Sequence, residues 1–173
     1  MGTLYFDIDG VLLDWNTAFA DFWNAKHPEA SIGNNPLTWG GNPEHREAIY
    51  EFCATPIFLP LLDSKIPEIM HQLHRQYRIE ILTGGSNYEH RTANLQRYNI
   101  PFDQLTCDTH NKIDRIVNPV AIFEDCPRHL DLMSETYPDR VWAPYQWHYV
   151  RPYASHPGIK LYGSPTEWLS LLQ

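Results

Sequence analysis

The chain has 173 residues, 43% of them apolar, which is enough for one domain with a real core. Its 13 Lys and Arg against 21 Asp and Glu leave a formal charge of −8, which argues against a broad grip on a nucleic-acid backbone. Cys53, Cys107 and Cys126 show no CxxC pairing, so reduced thiols are expected rather than a disulfide framework or a zinc site.

In chain order, the first element is the apolar run Leu4-Tyr5-Phe6, which leads into Asp7-Ile8-Asp9-Gly10-Val11. In a strand, residues i and i+2 share a face, so Asp7 and Asp9 converge at a strand end. Two such anions repel unless a cation lies between them or one holds a proton. Asp9-Gly10 between apolar runs is also a hairpin signal. Three later stretches answer the acidic pair and favour the strand end.

Asp14 caps a helix to about Lys26, with Trp15, Ala18, Phe19, Phe22 and Trp23 at helical spacing. Most of these read as core. Trp15, six residues past Asp9, is the one placed near a ligand. Residues 28 to 43 form a Gly-, Asn- and Pro-rich loop, and Asn42-Pro43 opens a second helix. An apolar connector follows, and Ser64 caps a helix to about Gln76. Residues 15–60 read as a small helical insertion, with residues 1–14 and 61–173 as the core.

Strands and helices then alternate. Arg78 to Leu82 is a strand ending in Thr83-Gly84-Gly85, and Ser86-Asn87-Tyr88-Glu89 is a capping box for a helix to about Tyr98. Gln104 to Cys107 is a short strand, and Asn111 caps a brief helix carrying Lys112. Val120 to Phe123 is a buried strand that delivers Glu124-Asp125. Pro127 opens the next helix, Arg140 to Ala143 is the last strand, and Ser164-Pro165-Thr166-Glu167 caps a C-terminal helix. The pattern predicts an α/β fold: a three-layer, Rossmann-like parallel sheet with a helical cap inserted after the first strand. Ligands bind such sheets at the carboxyl ends of the strands.

Asp7, Asp9, Thr83, Lys112, Glu124 and Asp125 all fall at that rim. A carboxylate nucleophile, a hydroxyl-bearing turn, an ammonium and a second acidic pair suit phosphoryl transfer through an aspartyl-phosphate. Individually, Thr83-Gly84-Gly85 is an ordinary turn and Lys112 an ordinary surface residue; their order after Asp7-x-Asp9 carries the reading. An EF-hand fails on spacing, since its Gly and Glu positions hold Leu12 and Ala18. His71-x-x-His74 lacks a further ligand set and reads as solvated.

At these residues the sequence resembles the haloacid dehalogenase superfamily. Asp7-Ile8-Asp9-Gly10-Val11 resembles its first motif, Leu82-Thr83-Gly84-Gly85 the second, Lys112 the third and Glu124-Asp125 the fourth. The resemblance implies that Asp7 is the nucleophile and that Asp9 is the acid and base. It implies magnesium on Asp7, the main-chain carbonyl of Asp9, and Asp125. It further implies that Thr83 and the N–H groups of Gly84 and Gly85 hold the phosphoryl oxygens, with Lys112 as the neutralising cation.

A finer resemblance is to the 5′(3′)-deoxyribonucleotidase (5′-nucleotidase C) family. It rests on Asp9-Gly10-Val11-Leu12-Leu13-Asp14-Trp15, Phe58-Leu59-Pro60-Leu61, Asn87-Tyr88-Glu89-His90 and Glu124-Asp125-Cys126-Pro127-Arg128. This implies nucleoside monophosphates as substrates, with Trp15 stacking on the base. Phe19, Trp39, Phe52 and Phe58 offer further flat faces. A sugar-phosphate phosphatase, a polynucleotide end-trimming phosphatase disfavoured by the charge, and a non-catalytic binding protein are the alternatives. The start shows no leader and no run of roughly 18 apolar residues, so a cytoplasmic protein without membrane attachment is expected. A homodimer is left open, as is the place of the aromatic loop 144–153.

Overall fold

The computed structural model describes residues 1–39, 42–85, 87–107 and 111–173. Its centre is a six-stranded sheet: β1 (Thr3–Phe6), β2 (Arg78–Leu82), β3 (Gln104–Thr106), β4 (Pro119–Phe123), β5 (Val141–Pro144) and β6 (Ile159–Tyr162). The spatial order is β3-β2-β1-β4-β5-β6, and every pairing is parallel. The order reverses between β1 and β4, the place where open parallel sheets form a ligand crevice. This is the α/β, Rossmann-like architecture read from the sequence. The sixth strand is additional to the five expected.

Strand alternation sorts side chains to two apolar layers. Leu4, Phe6, Ile79, Ile81, Ala121, Phe123 and Trp142 face one core, and Tyr5, Ile122, Val141 and Ala143 the other. Burial on both faces explains why these strands are apolar runs without polar alternation. Helix α3 (Ile66–His74) covers the first face with Ile66, Ile69, Met70 and Leu73, the i, i+3, i+4, i+7 stripe of an amphipathic helix. Helix α5 (Pro127–Thr136) covers the second with Leu130 and Met133.

Between β1 and α3 run α1 (Trp15–Lys26), two short 3-10 turns and α2 (Pro43–Ala54). Asp14 and Asn42 cap α1 and α2 as expected, accepting from the N–H groups of Thr17 and Glu44 at 3.0 and 2.9 Å. The aromatic stripe of α1 packs on α2 and on the turn before it: Phe19 meets Phe52 at 5.6 Å and Trp39 at 4.8 Å.

Several local expectations are corrected. Helix α3 begins at Ile66 with no side-chain cap, so Ser64 does not cap it. Asp63 instead accepts from Lys65 N–H at 2.8 Å. Helix α4 (Tyr88–Arg97) is capped by Asn87, which accepts from His90 N–H at 3.0 Å. Ser86, the cap in the expected box, lies outside the described residues. Asn111 precedes a single 3-10 turn, Lys112–Arg115, but makes no capping bond. The Ser164 capping box forms, though the helix it opens, Pro165–Leu172, is 3-10 rather than α. His71 and His74 are not simply solvated: His74 lies 3.2 Å from Asp103, and Nε2 of His71 is buried with no hydrogen-bond partner among the described residues. Among the described residues no helix is long and apolar enough to cross a membrane.

Candidate active site

Asp7 follows β1 directly, and Glu124 and Asp125 follow β4. Because Phe6 pairs with Phe123, the two strand ends stop level. The bond from Asp7 N–H to Phe123 O, 2.9 Å, extends the ladder one step further. Backbone register thereby brings distant carboxylates together: one oxygen each of Asp7, Glu124 and Asp125 lies within 4.8 Å of the others. All three side chains are buried. Lys112 reaches in from its 3-10 turn, 2% exposed rather than solvated. Its Nζ lies 2.6 Å from Asp7 Oδ2 and 2.8 Å from Glu124 Oε2.

Three carboxylates share this one ammonium, and the electrostatics follow from that shortage. Burial disfavours every charge here. For Glu124 the burial penalty is outweighed by Lys112 and His129, which hold it well below the usual carboxylate range. Burial pushes Asp7 well above that range, Lys112 offsetting only part of the rise. Asp125 is pushed up to about 8, by burial first and then by the charge of Glu124. Lys112 is desolvated too, but Asp7 and Glu124 raise it, so it stays charged. Two buried carboxylates without a full counter-charge, beside a third that has one, fit a divalent oxygen-preferring cation such as magnesium.

Hydrogen bonds separate the two acids of the Glu124-Asp125 pair. Glu124 Oε1 accepts from the N–H groups of Asp125 and Cys126 at 3.1 and 3.0 Å, and Oε2 from Lys112. The His129 ring nitrogen lies 3.3 Å from that same Oε2. Both Glu124 oxygens are thus engaged by protein groups. Asp125 lies against Gly10, whose φ of 77° is left-handed; a Cβ there would sit 2.0 Å from Asp125 Oδ2. Glycine at this position serves both the turn and the close approach.

Asp9 is placed differently. Its carboxylate is outside the three-acid cluster and takes a bidentate pair from Arg91 of α4, at 2.6 and 2.7 Å. Gly85 makes room for that guanidinium, since a Cβ there would lie 2.6 Å from Arg91 Nε. Arg91 was not among the residues expected from the sequence. Arg91, Asn94 and Leu95 form the buried face of α4 at the i, i+3, i+4 spacing, but two of the three are polar, so no apolar stripe marks that face in the sequence. Thr83 is fully buried at the end of β2, and its Oγ1 accepts from Gly85 N–H at 3.3 Å. Gly84 has open space around it.

A cleft of about 330 Å³ opens over these groups. Asp7, Asp9, Lys112, Asp125, Gly84 and Gly85 form its floor, with Trp15, Asn16, Pro36 and Leu37 contributed by the segment between β1 and α3. Trp15 is half-buried at the rim, one face stacked on Phe19 at 5.3 Å. Phe19, Trp39 and Phe52 are core residues, and Phe58 is exposed beneath Arg97. The aromatic loop also reaches the site: Trp147 Nε1 donates to Gly10 O at 2.8 Å, and Tyr149 lines the cleft.

Neither a family model nor a curated protein matches the chain by sequence. Solved structures do match over nearly the whole fold. A protein from Burkholderia xenovorans LB400 named as a haloacid dehalogenase-like hydrolase superposes with a TM-score of 0.58 at 14% identity, covering 99% of this chain and 98% of that one. D,D-heptose 1,7-bisphosphate phosphatase from Burkholderia thailandensis gives 0.55 at 12% identity, covering 98% and 99%. Its counterpart from B. bronchiseptica, complexed with magnesium and phosphate, gives 0.54 at 12%, covering 99% and 98%. The chain has the fold of the haloacid dehalogenase-like hydrolases.

Proposed function

We propose that this chain is a magnesium-dependent phosphomonoesterase that works through an aspartyl-phosphate and acts on nucleoside monophosphates. The observation that carries the reading is the gathering of Asp7, Glu124 and Asp125 around Lys112 at the carboxyl ends of β1 and β4. Asp7, the carbonyl of Asp9 and Asp125 would hold the metal. When bound, it would neutralise these carboxylates and polarise the phosphoryl group. Glu124, saturated by protein donors, orients Lys112 instead.

In the first step an Asp7 oxygen forms a bond to phosphorus as the ester oxygen departs, taking a proton from Asp9. In the second, Asp9 removes a proton from water; the water oxygen bonds to phosphorus and the Asp7–phosphorus bond breaks, releasing phosphate. A protonated Asp9 oxygen keeps a lone pair for Arg91 beside its O–H, so donation to the leaving oxygen is compatible with the clamp. Lys112 offsets charge on the Asp7 side, and the N–H of Gly84 meets the phosphoryl oxygens; Thr83, fully buried and outside the cleft lining, holds the turn through Gly85 N–H instead.

Residues 15–60 act as the cap in this reading, with residues 1–14 and 61–173 as the core. The support is that Trp15, Asn16, Pro36 and Leu37 line the cleft. The free part of Trp15 and the exposed Leu37 offer apolar surface to a base. A cleft of about 330 Å³ is at the small end of ligand sites, which run from about 300 to 1,000 Å³. A sugar phosphate is the second reading, favoured by the two heptose bisphosphate phosphatases that share the fold.

The test is phosphate release from a panel of nucleotides and sugar phosphates, with and without magnesium. Nucleoside monophosphates should be turned over fastest, with activity abolished by EDTA and by Asp7→Asn. Turnover that survives Asp7→Asn overturns the covalent route. Equal kcat/KM after removal of the base overturns the nucleotide assignment.

A further inference from the structure

The loop after β5 sends one side chain into the metal cluster proposed above. Tyr149 Oη donates to Asp125 Oδ2 at 2.5 Å and accepts from Asn16 Nδ2 at 2.8 Å. Both Asn16 and Tyr149 are buried. Asn16 belongs to α1, in the segment inserted after β1, whereas Asp125 belongs to the end of β4. A continuous chain of donors therefore runs from the insertion through Tyr149 to a carboxylate. The tyrosine has a fixed polarity: its oxygen accepts from the Asn16 amide nitrogen, an atom that can only donate, so its single proton is committed to Asp125.

The same loop is pinned a second time. Trp147 Nε1 donates to the carbonyl of Gly10, the residue against which Asp125 packs. Trp147 and Tyr149 stack with centroids 6.1 Å and ring planes 9° apart.

We propose that Tyr149 is a positioning residue for the metal, held in place by Asn16. By fixing Asp125 Oδ2 it fixes the direction in which Oδ1 points, and so sets the affinity of the site for magnesium. Groups that orient a ligating carboxylate typically change metal affinity by 10- to 100-fold when removed. The inference rests on the proposed metal site but adds to it a residue outside the proposed ligand set.

The experiment is calorimetric titration of magnesium into the EDTA-stripped protein. The variants are Tyr149→Phe, Asn16→Ala, the two together, and His148→Ala, an exposed neighbour in the same loop. Tyr149→Phe is expected to raise the magnesium Kd about 10- to 100-fold. Asn16→Ala should raise it less, and the double variant should be no weaker than Tyr149→Phe alone, because the amide acts only through the phenol. His148→Ala should bind as the unaltered protein does. Circular dichroism checks that each variant is folded, and Asn16→Ala carries the test if Tyr149→Phe fails to fold. Unaltered protein that binds no magnesium overturns the metal site and this inference with it. Tight binding by the unaltered protein and by folded variants alike, within twofold, overturns the role of Tyr149 alone.

Discussion

The two acids of the Asp7-x-Asp9 pair are two residues apart, yet they live in different kinds of surroundings. Asp7 sits where β1 and β4 stop level, fixed by a ladder bond and by Lys112. Asp9 sits beyond the strand, its main chain bridged to Leu13, and among the described residues its carboxylate is held by the long side chain of Arg91 arriving from α4. One carboxylate is placed by the register of two paired strands and the other is aimed by a single guanidinium. The first should be costly to disturb and the second more easily uncoupled from the fold.

The hardest blow to the first position is Lys112→Met. It strands Glu124 and Asp7 in a site where every partner is buried, and breaking a buried pair by removing one member costs about 3–5 kcal/mol. Urea unfolding should show the loss, and phosphate release should fall with it. A variant as stable as the parent would mean the two acids are not charged partners of Lys112.

Arg91→Met probes the second position. The expected stability loss is smaller, about 1–3 kcal/mol, because the Asp9 carboxylate keeps 26% of its surface in water. Hydrolysis should drop by about 10²–10⁴, the usual worth of a well-aimed acid and base, while magnesium affinity stays unchanged. A matching drop in magnesium affinity would show that the two positions are one unit.

The smallest effect is expected at a surface pair that serves as reference. Burial would raise Asp103, but the N–H of Ile79 and then His74 outweigh it and lower it below its usual value. A lowered carboxylate stabilises the fold above its unfolded pKa of about 3.9, and that gain is lost as pH falls through the folded value. Asp103→Asn should therefore cost under about 1 kcal/mol at pH 7 and nothing in strong acid, read as Tm against pH. A pH-independent loss would assign the effect to packing.

What the sequence made legible divides along the same line. Asp7, Thr83, Glu124 and Asp125 could be placed because each ends an apolar strand, and parallel topology brings strand ends together whatever the side chains. Lys112 could be placed by order, thirteen residues before Asp125. Arg91 escaped because α4 is polar over most of its length, and a buried arginine looks like a solvated one until its partner is known. Tyr149 and Trp147 escaped because they lie in an irregular loop with no period to read. Strand β6 escaped for a related reason: four residues after Pro157-Gly158 give too little alternation to stand out.

The last turn of the chain matters more to the chemistry than its distance from the cleft suggests. Trp168 rests on Phe6 and Phe123 at 5.3 and 4.9 Å, the very residues that precede Asp7 and Glu124. Tyr77 ties the same segment down through a hydrogen bond to Leu171 O. Clipping the tail by limited proteolysis would leave all the reacting groups in the molecule while removing the bedding beneath the two strands that aim them. Inactivation of that kind would begin at the back of the sheet and reach the cleft last.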